Sequence, residues 1–157
     1  MINGKVVRLI LYPAKGKKGI SVESAVLNKD LGMEGDYHAT GGDKQITLLS
    51  VESRNWMEKV ATRGLCFQRF RENITTEGID LESLKAGHRL LAGTAILEIT
   101  EVSKHCHEEC VLFKKGEPCR LSGQSLFAKV VQSGVIRTGD GIVKHPRNGV
   151  QRNGWVL

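Results

Sequence analysis

The chain has 157 residues, with 23 basic and 17 acidic side chains and a formal net charge of +6. This length suits one domain with a sizeable hydrophobic core, so we treat residues 1–157 as a single domain. No apolar run approaches the roughly 18 residues that span a bilayer, and the first residues lack the layout of a signal peptide. We therefore expect a soluble, cytoplasmic protein with no membrane partner. The basic charge suits an anionic partner such as a small phosphorylated ligand. Because no nucleic-acid-binding signature accompanies that charge, we expect no nucleic-acid partner.

The 18 glycines indicate many short turns and therefore many short strands. Alternation and turn signals predict strands at 6–12, 21–27, 45–49, 70–75, 88–91, 95–102, 127–131 and 141–144. Ser50 is suited to cap a helix whose apolar face includes Val51, Trp56 and Val60 and which ends at Gly64. Loops are predicted at 31–43, 78–87 and 134–140, and the tail from 146 to 157 is predicted to be loosely held.

These elements predict a mainly β fold. Strands do not alternate regularly with helices, which argues against a doubly wound parallel sheet. A closed or nearly closed β-barrel of short, mostly antiparallel strands, with one or two helices, accommodates so many short strands best.

Three of the four cysteines lie close together, at Cys106, Cys110 and Cys119. In one interpretation they bind zinc, with His105 or His107 as a fourth ligand. In another, Cys106 is a reactive thiol, because the neighbouring lysine and histidines favour the thiolate form. In a third, all three are ordinary buried cysteines, as we expect for the isolated Cys66. The residues themselves leave these interpretations open.

Two further segments contain candidate binding residues. The glycine-rich loop at 35–42 could bring backbone N–H groups close to an anion, with Asp36 and His38 adding specific hydrogen bonds. Asn73 lies in a strand-like run where its propensity is poor, which is typical of a residue that supports a loop or contacts a ligand. The alternatives are a plain surface loop for the first segment and a structural hydrogen bond for the second.

The order of these segments along the chain resembles that of the MOSC family, the C-terminal domain of molybdenum cofactor sulfurases. The resemblance covers nearly the whole chain and rests on an ordered set of short motifs. They are Gly-Met-Glu-Gly-Asp-Tyr-His at 32–38, the strand and helix start at 45–50, Glu-Asn-Ile-Thr at 72–75, Gly-Ile-Asp-Leu at 78–81, the segments 87–90 and 93–100, and Cys106.

The resemblance implies a β-barrel of the pyruvate-kinase-barrel type and a role in handling the molybdenum cofactor (molybdopterin). The family cysteine, which carries a persulfide or ligates molybdenum, corresponds by position to Cys106. The resemblance also implies a cofactor pocket shaped by several residues, with a basic loop side chain meeting the phosphate. The pocket residues are Asp36, His38, Gly41, Asn73 and Thr75, and the basic residue is Lys17.

The resemblance also implies partners. The chain has no room for the pyridoxal-phosphate domain of the sulfurases, so we expect no pyridoxal phosphate on it. Its sulfur would come from a separate cysteine desulfurase and go to a molybdoenzyme or a cofactor-biosynthesis protein.

Two alternatives stay open beside this sulfurtransferase-like role. One is a non-catalytic module stabilised by zinc, with Cys106, Cys110, Cys119 and His107 as ligands. The other is a molybdenum-dependent reductase of N-hydroxylated compounds, which would take its electrons from another protein.

Overall fold

A computed structural model describes residues 3–59, 71–102 and 125–146 of the chain. Within these ranges the protein is mainly β, with a single α-helix and a 3₁₀ turn. The elements are β1 (Asn3–Leu11), β2 (Ile20–Val22), β3 (Ser24–Asn28), β4 (Gly32–Met33), β5 (Ile46–Ser50), α1 (Val51–Lys59), β6 (Ile74–Glu77), the 3₁₀ turn (Leu81–Ser83), β7 (Arg89–Ala92), β8 (Ala95–Val102), β9 (Ser125–Gln132), β10 (Gly134–Arg137) and β11 (Gly141–His145). No helix of this part of the chain has the length and apolar character needed to cross a membrane.

Seven strands close into a barrel in the order β1–β11–β7–β8–β9–β5–β6 and back to β1. The β5–β6 pair is parallel, and the other six pairs of the barrel are antiparallel. Strand β1 makes the closure possible, because its first residues pair with β11 and its last residues pair with β2, while β6 pairs along its middle. The predicted closed, mostly antiparallel barrel is confirmed.

The barrel interior is filled by aliphatic side chains that alternate along the strands. In β8, for example, Ala95, Leu97 and Ile99 are buried, while the residues between them are partly exposed. This alternation is expected for strands with one face on a core. Leu81 and Leu84 from the 78–87 segment also reach this core.

Several predicted boundaries were wrong. The strand predicted at 21–27 is divided at Glu23, because β2 pairs with β1 in the barrel whereas β3 pairs with β10 and β4 in a second, three-stranded sheet. The predicted connection at 134–140 contains β10 for the same reason, and the predicted loop at 31–43 contains β4. Strand β6 begins at Ile74 rather than at residue 70, which lies outside the described ranges.

Helix α1 begins where the sequence predicted. The backbone N–H of Ser53 donates to Ser50 Oγ at 3.1 Å, so Ser50 is the expected cap. Met57 is buried on the side of the helix that lies against the barrel wall, near β5 and β6. The predicted continuation to Gly64 lies outside the described residues.

Candidate functional site

The carboxylate of Asp36 is the centre of a hydrogen-bond network at the end of β1. Its side chain is fully buried. Oδ1 accepts from the backbone N–H of Tyr12 at 2.8 Å and from Asn73 Nδ2 at 3.1 Å. Oδ2 accepts from the backbone N–H of His38 at 3.0 Å and lies 2.8 Å from His38 Nδ1. Four donors therefore converge on one carboxylate.

These donors determine the ionisation of Asp36. Burial alone would raise the pKa of its carboxyl, but hydrogen bonds from the His38 ring and from the N–H groups of Tyr12 and His38 outweigh burial. The pKa is thus held below its usual value of 3.8. Asp36 is an anion at neutral pH and can only accept, so His38 Nδ1 must carry a hydrogen.

Asn73 connects the network to the barrel. Its Oδ1 accepts from the backbone N–H of Thr47 at 3.1 Å, and its Nδ2 also donates to the carbonyl of Ile10 at 3.2 Å. Its backbone pairs with the same two residues, at 2.8 Å to Thr47 and 2.9 Å to Ile10. One residue thus links β1, β5 and the Asp36 loop, which accounts for an asparagine at a position poorly suited to a strand.

An open groove of about 610 Å³ begins at Tyr12 and follows the outer surface of β1. Gly19 lies so close to Ile10 and Tyr12 that an added Cβ would approach their side-chain atoms to 2.4 and 2.6 Å. A side chain there would therefore disturb the groove. The groove is lined by Arg8, Ile10, Tyr12, Lys18, Gly19, Arg54, Glu58, Arg71 and Glu72.

One wall of the groove is a buried ion pair between α1 and the segment before β6. Arg54 Nε donates to Glu72 Oε2 at 2.9 Å, and a second guanidinium nitrogen donates to Oε1. Burial would lower the pKa of Arg54, but the hydrogen bond and charge of Glu72 raise it. The Tyr12 hydroxyl donates to the Glu72 carbonyl at 3.0 Å, and burial followed by the charge of Glu72 raises the pKa of Tyr12. Both groups keep their ordinary charge at neutral pH.

Three cations of the groove are not neutralised in this way. Arg8, Lys18 and Arg71 form no salt bridge with any residue that the structure describes. The Arg71 guanidinium lies 5.4 Å from the centre of the Tyr12 ring and donates to the Lys17 carbonyl at 3.2 Å. The groove lining holds four cations against two carboxylates, Glu58 and Glu72, so its net charge is positive. A positively charged concave surface attracts anions, so the groove is suited to an anionic ligand.

The structure brings some of the predicted pocket residues together. Asp36, His38 and Asn73 share one hydrogen-bond network. Thr75 lies two residues beyond Asn73, and its fully buried hydroxyl has no hydrogen-bond partner among the described residues. Gly41 has a φ of 87° and contributes a backbone bond to Leu31 rather than a contact with the groove.

Lys17, the predicted phosphate-binding residue, lies next to the groove in sequence. Its side chain is exposed and does not line the groove, whereas the neighbouring Lys18 does. The cysteine and histidine candidates, Cys106, Cys110, Cys119 and His107, lie outside the described residues. Within residues 3–59, 71–102 and 125–146, no three His, Cys, Asp or Glu side chains form a group able to hold a metal ion.

Sequence reasoning did not single out Arg8, Tyr12, Arg54 or Lys18. Arg71 and Glu72 lie in a segment that it did single out, but for the sake of Asn73. The available signal was alternation along β1 and into the residue after it. Arg8, Ile10 and Tyr12 occupy every second position and so face the same side.

Comparison with known proteins agrees with this architecture. The family model for the MOSC domain matches residues 35–143, which is more than half of the chain. No match was found among curated proteins.

Solved structures give the same fold. The YUAD protein from Bacillus subtilis is 20% identical, with a TM-score of 0.63 over 90% of this chain and 97% of that one. YiiM from Geobacillus stearothermophilus is 21% identical, with a TM-score of 0.61 over 94% of this chain and 77% of that one. YiiM from Escherichia coli is 18% identical, with a TM-score of 0.57 over 94% and 71%. By the family match and the shared fold, this chain belongs to the MOSC domain family.

Proposed function

We propose that this chain binds the molybdenum cofactor and carries sulfur for it through Cys106. The proposal rests on the groove, where Arg8, Lys18 and Arg71 have no carboxylate partner in the described structure, beside the Asp36 network. The MOSC domain family is generally linked to molybdenum cofactor binding. An anionic cofactor with a phosphate group suits a groove of this charge.

The residues present fit the phosphate end of such a cofactor. Arg71 and Lys18 would hold the phosphate, because both are cationic and exposed to the groove. Tyr12 offers its ring as a wall, and the hydrogen bonds to Asp36 and Glu72 keep it in place. When bound, the cofactor would supply a molybdenum centre that accepts soft sulfur ligands.

The sulfur-carrying part of the proposal rests on sequence. Cys106 follows β8 at the position of the family cysteine, and a thiolate is both a nucleophile and a soft metal ligand. We propose a cysteine desulfurase as sulfur donor and a molybdoenzyme or cofactor-biosynthesis protein as acceptor, all in the cytoplasm.

Cofactor binding is tested on the full chain purified from a molybdenum-replete host. Pterin fluorescence and elemental analysis should show pterin and molybdenum in proportion to protein. Arg71→Ala should retain no more than about one tenth of the pterin and molybdenum that the wild type retains. Loss of one charged hydrogen bond costs roughly 1.5–3 kcal/mol of binding free energy. Arg137→Ala is the matched control, because it removes the same charge outside the groove. Wild-type protein without pterin or molybdenum would overturn the proposal, and stoichiometric zinc in their place would favour the zinc-stabilised module.

Sulfur transfer is tested separately by mass spectrometry. After incubation with a cysteine desulfurase and cysteine, the wild type should gain one sulfur atom, located on Cys106. Cys106→Ser should gain none, whereas Cys66→Ser should behave as the wild type does. Absence of the added sulfur in the wild type would remove the carrier role and leave cofactor binding standing.

A further inference from the structure

The two carboxylates that line the groove differ in how they are satisfied. Glu72 is 1% exposed, and its oxygens accept from the Arg54 guanidinium. Glu58 lies one helical turn further along α1, is exposed and faces the same groove. It forms no salt bridge with any residue in the described parts of the chain. One carboxylate is therefore part of the groove wall, and the other is open to a ligand.

The nearby Arg54 guanidinium does not satisfy Glu58. Its Nε and a second nitrogen both donate to Glu72, so that carboxylate occupies the planar fork of donors. A groove with a net positive charge thus contains one unpaired negative charge. This charge opposes the binding of a plain anion, and it becomes favourable only when the ligand brings hydrogen-bond donors to it.

The chemistry of a carboxylate defines the ligand group that matches Glu58. An ionised carboxylate only accepts hydrogen bonds, and its two oxygens can accept from two parallel N–H donors at once. The matching group is a planar edge with two adjacent N–H donors. The aminopyrimidinone ring of a pterin has such an edge, formed by a ring N–H and the exocyclic amino group.

We propose that Glu58 is the specificity-determining residue of the groove and accepts hydrogen bonds from the amino edge of a pterin. This inference rests on the proposed cofactor binding and deepens it, because it assigns a protein partner to the end of the cofactor opposite the phosphate. Arg71 and Lys18 attract any anion, whereas Glu58 favours an anion that also carries the donor edge. The groove thereby discriminates against phosphate alone.

The discrimination is tested with two matched probes, pterin-6-carboxylate and lumazine-6-carboxylate. They share the bicyclic ring and the anionic group, but lumazine has an oxygen in place of the amino group. Wild type should bind the pterin at least about tenfold more tightly, because the lumazine oxygen would face the carboxylate without a donor. Isothermal titration calorimetry measures both dissociation constants on the full-length protein, purified from a host that makes no molybdopterin so that the groove is accessible.

Glu58→Gln removes the negative charge and keeps the size of the side chain. The preference for the pterin should fall to about twofold or less, because the pterin loses a charged acceptor while the lumazine is freed from repulsion and binds more tightly. Continued binding of the lumazine shows that the groove of the variant is intact. Glu52→Gln is the matched control, since it removes the same charge from the exposed first turn of α1 outside the groove, and it should leave both dissociation constants unchanged.

An equal gain in affinity for both probes in Glu58→Gln would overturn the proposal, because a carboxylate that only repels anions predicts that result. A wild type that binds both probes equally would also overturn it and would leave the proposed cofactor binding standing. A wild type that binds neither probe would overturn it as well. The pterin content of protein from the molybdenum-replete host then decides cofactor binding independently.

Discussion

Asn73 holds three segments of the chain together through one carboxamide group. Its oxygen satisfies the Thr47 N–H, and its nitrogen is shared between the Ile10 carbonyl and the Asp36 carboxylate. All of these groups are buried away from solvent or nearly so, and a buried polar group without a partner costs more than an ordinary hydrogen bond contributes. The side chain is therefore a structural requirement of the site.

Removing the Asn73 carboxamide should destabilise the fold. Asn73→Ala leaves the Thr47 N–H and part of the Asp36 carboxylate without partners, so the free energy of unfolding should fall by about 3 kcal/mol. Urea unfolding measures the change. Thr94→Ala, which removes hydrogen bonds from an exposed turn, is the control and should cost about 1 kcal/mol or less. Equal losses in the two variants would contradict the role given to Asn73.

Asp36 should make stability depend on pH in acid. Its pKa is lowered in the folded state, so its contribution to stability is fully present above its usual value of 3.8 and is lost as the pH falls through the folded value. Wild type should be more stable than Asp36→Asn by a constant amount above about pH 5. The two should converge as the pH falls below 3.8. Urea unfolding at several pH values checks this, and a difference that is constant down to the lowest pH would refute it.

The residues at the centre of the hydrogen-bond network could be singled out from the sequence because they are unusual where they stand. Asn73 interrupts a strand-like run, and Asp36 and His38 lie in a glycine-rich loop. Arg54 and Glu72 are not unusual at their positions in the sequence, since charged residues are ordinary on a helix and before a strand. Their meeting depends on the position of α1 beside β6, which local patterns do not contain.

At the scale of elements, α1 does more than cover the barrel wall. Its first turn is fixed by Ser50, and its next turn places Arg54 on Glu72 beside the groove. Glu72 is 1% exposed, and its carboxylate is paired with that guanidinium. The helix thus supplies the cation of the ion pair in one groove wall.

Removing one partner of this ion pair should lower the free energy of unfolding more than removing both partners. Arg54→Met leaves a buried carboxylate without its cation and should lower the free energy of unfolding by about 3 kcal/mol. The double variant Arg54→Met/Glu72→Gln removes both charges and should recover at least half of that loss. Thermal and urea unfolding measure both variants. A double variant less stable than the single one would show that the pair itself stabilises the fold.

The helix cap has a smaller and local effect. Ser50→Ala removes the acceptor of the Ser53 N–H and should cost about 1 kcal/mol, with faster hydrogen exchange confined to residues 51–59. Ser50→Thr keeps the hydroxyl and should recover most of the loss. Exchange that increases equally across the barrel would contradict a local role.

Element types were predictable where apolar and polar residues alternate strictly along the chain. Strand β8 is an example, and its bounds match the prediction. Element types were not predictable where one strand-like run serves two sheets. Within residues 20–28 the pairing of β2 with β1 and of β3 with β10 divides the run at Glu23, and the residues that pack on the core shift from even to odd positions there. Strand β10 was missed because it lies in a glycine-containing segment typical of a connection.

At the scale of the whole molecule, the barrel depends on the meeting of β1 and β11. Gly4 pairs with Ile142 there, and an added Cβ would lie 2.7 Å from the Cβ of Ile79 and 3.0 Å from the Ile142 Cγ2. At Gly141, in the same ladder, the nearest atom is 4.0 Å away. A side chain therefore fits at Gly141 but not at Gly4, although both glycines lie where β1 meets β11.

This difference predicts the outcome of two matched substitutions. Gly4→Ala should lower the free energy of unfolding by about 1–3 kcal/mol, because the barrel must shift to admit the methyl group. Gly141→Ala should cost little. Calorimetric melting of both variants provides the measurement, and equal melting temperatures would show that the closure is not tightly packed at Gly4.

Strand β1 pairs with β11, β2 and β6, so the barrel cannot close during synthesis until β11 has been made. Among these strands β1 is synthesised first. Its partner β11, which pairs with residues 3–5 of β1, begins only at residue 141. Until then, an N-terminal strand that forms one wall of the groove has an unpaired backbone edge, and such edges invite wrong pairing. Contacts this distant along the chain also form slowly. The groove-lining residues end at Glu72, so a nascent chain has all of them long before the barrel can close.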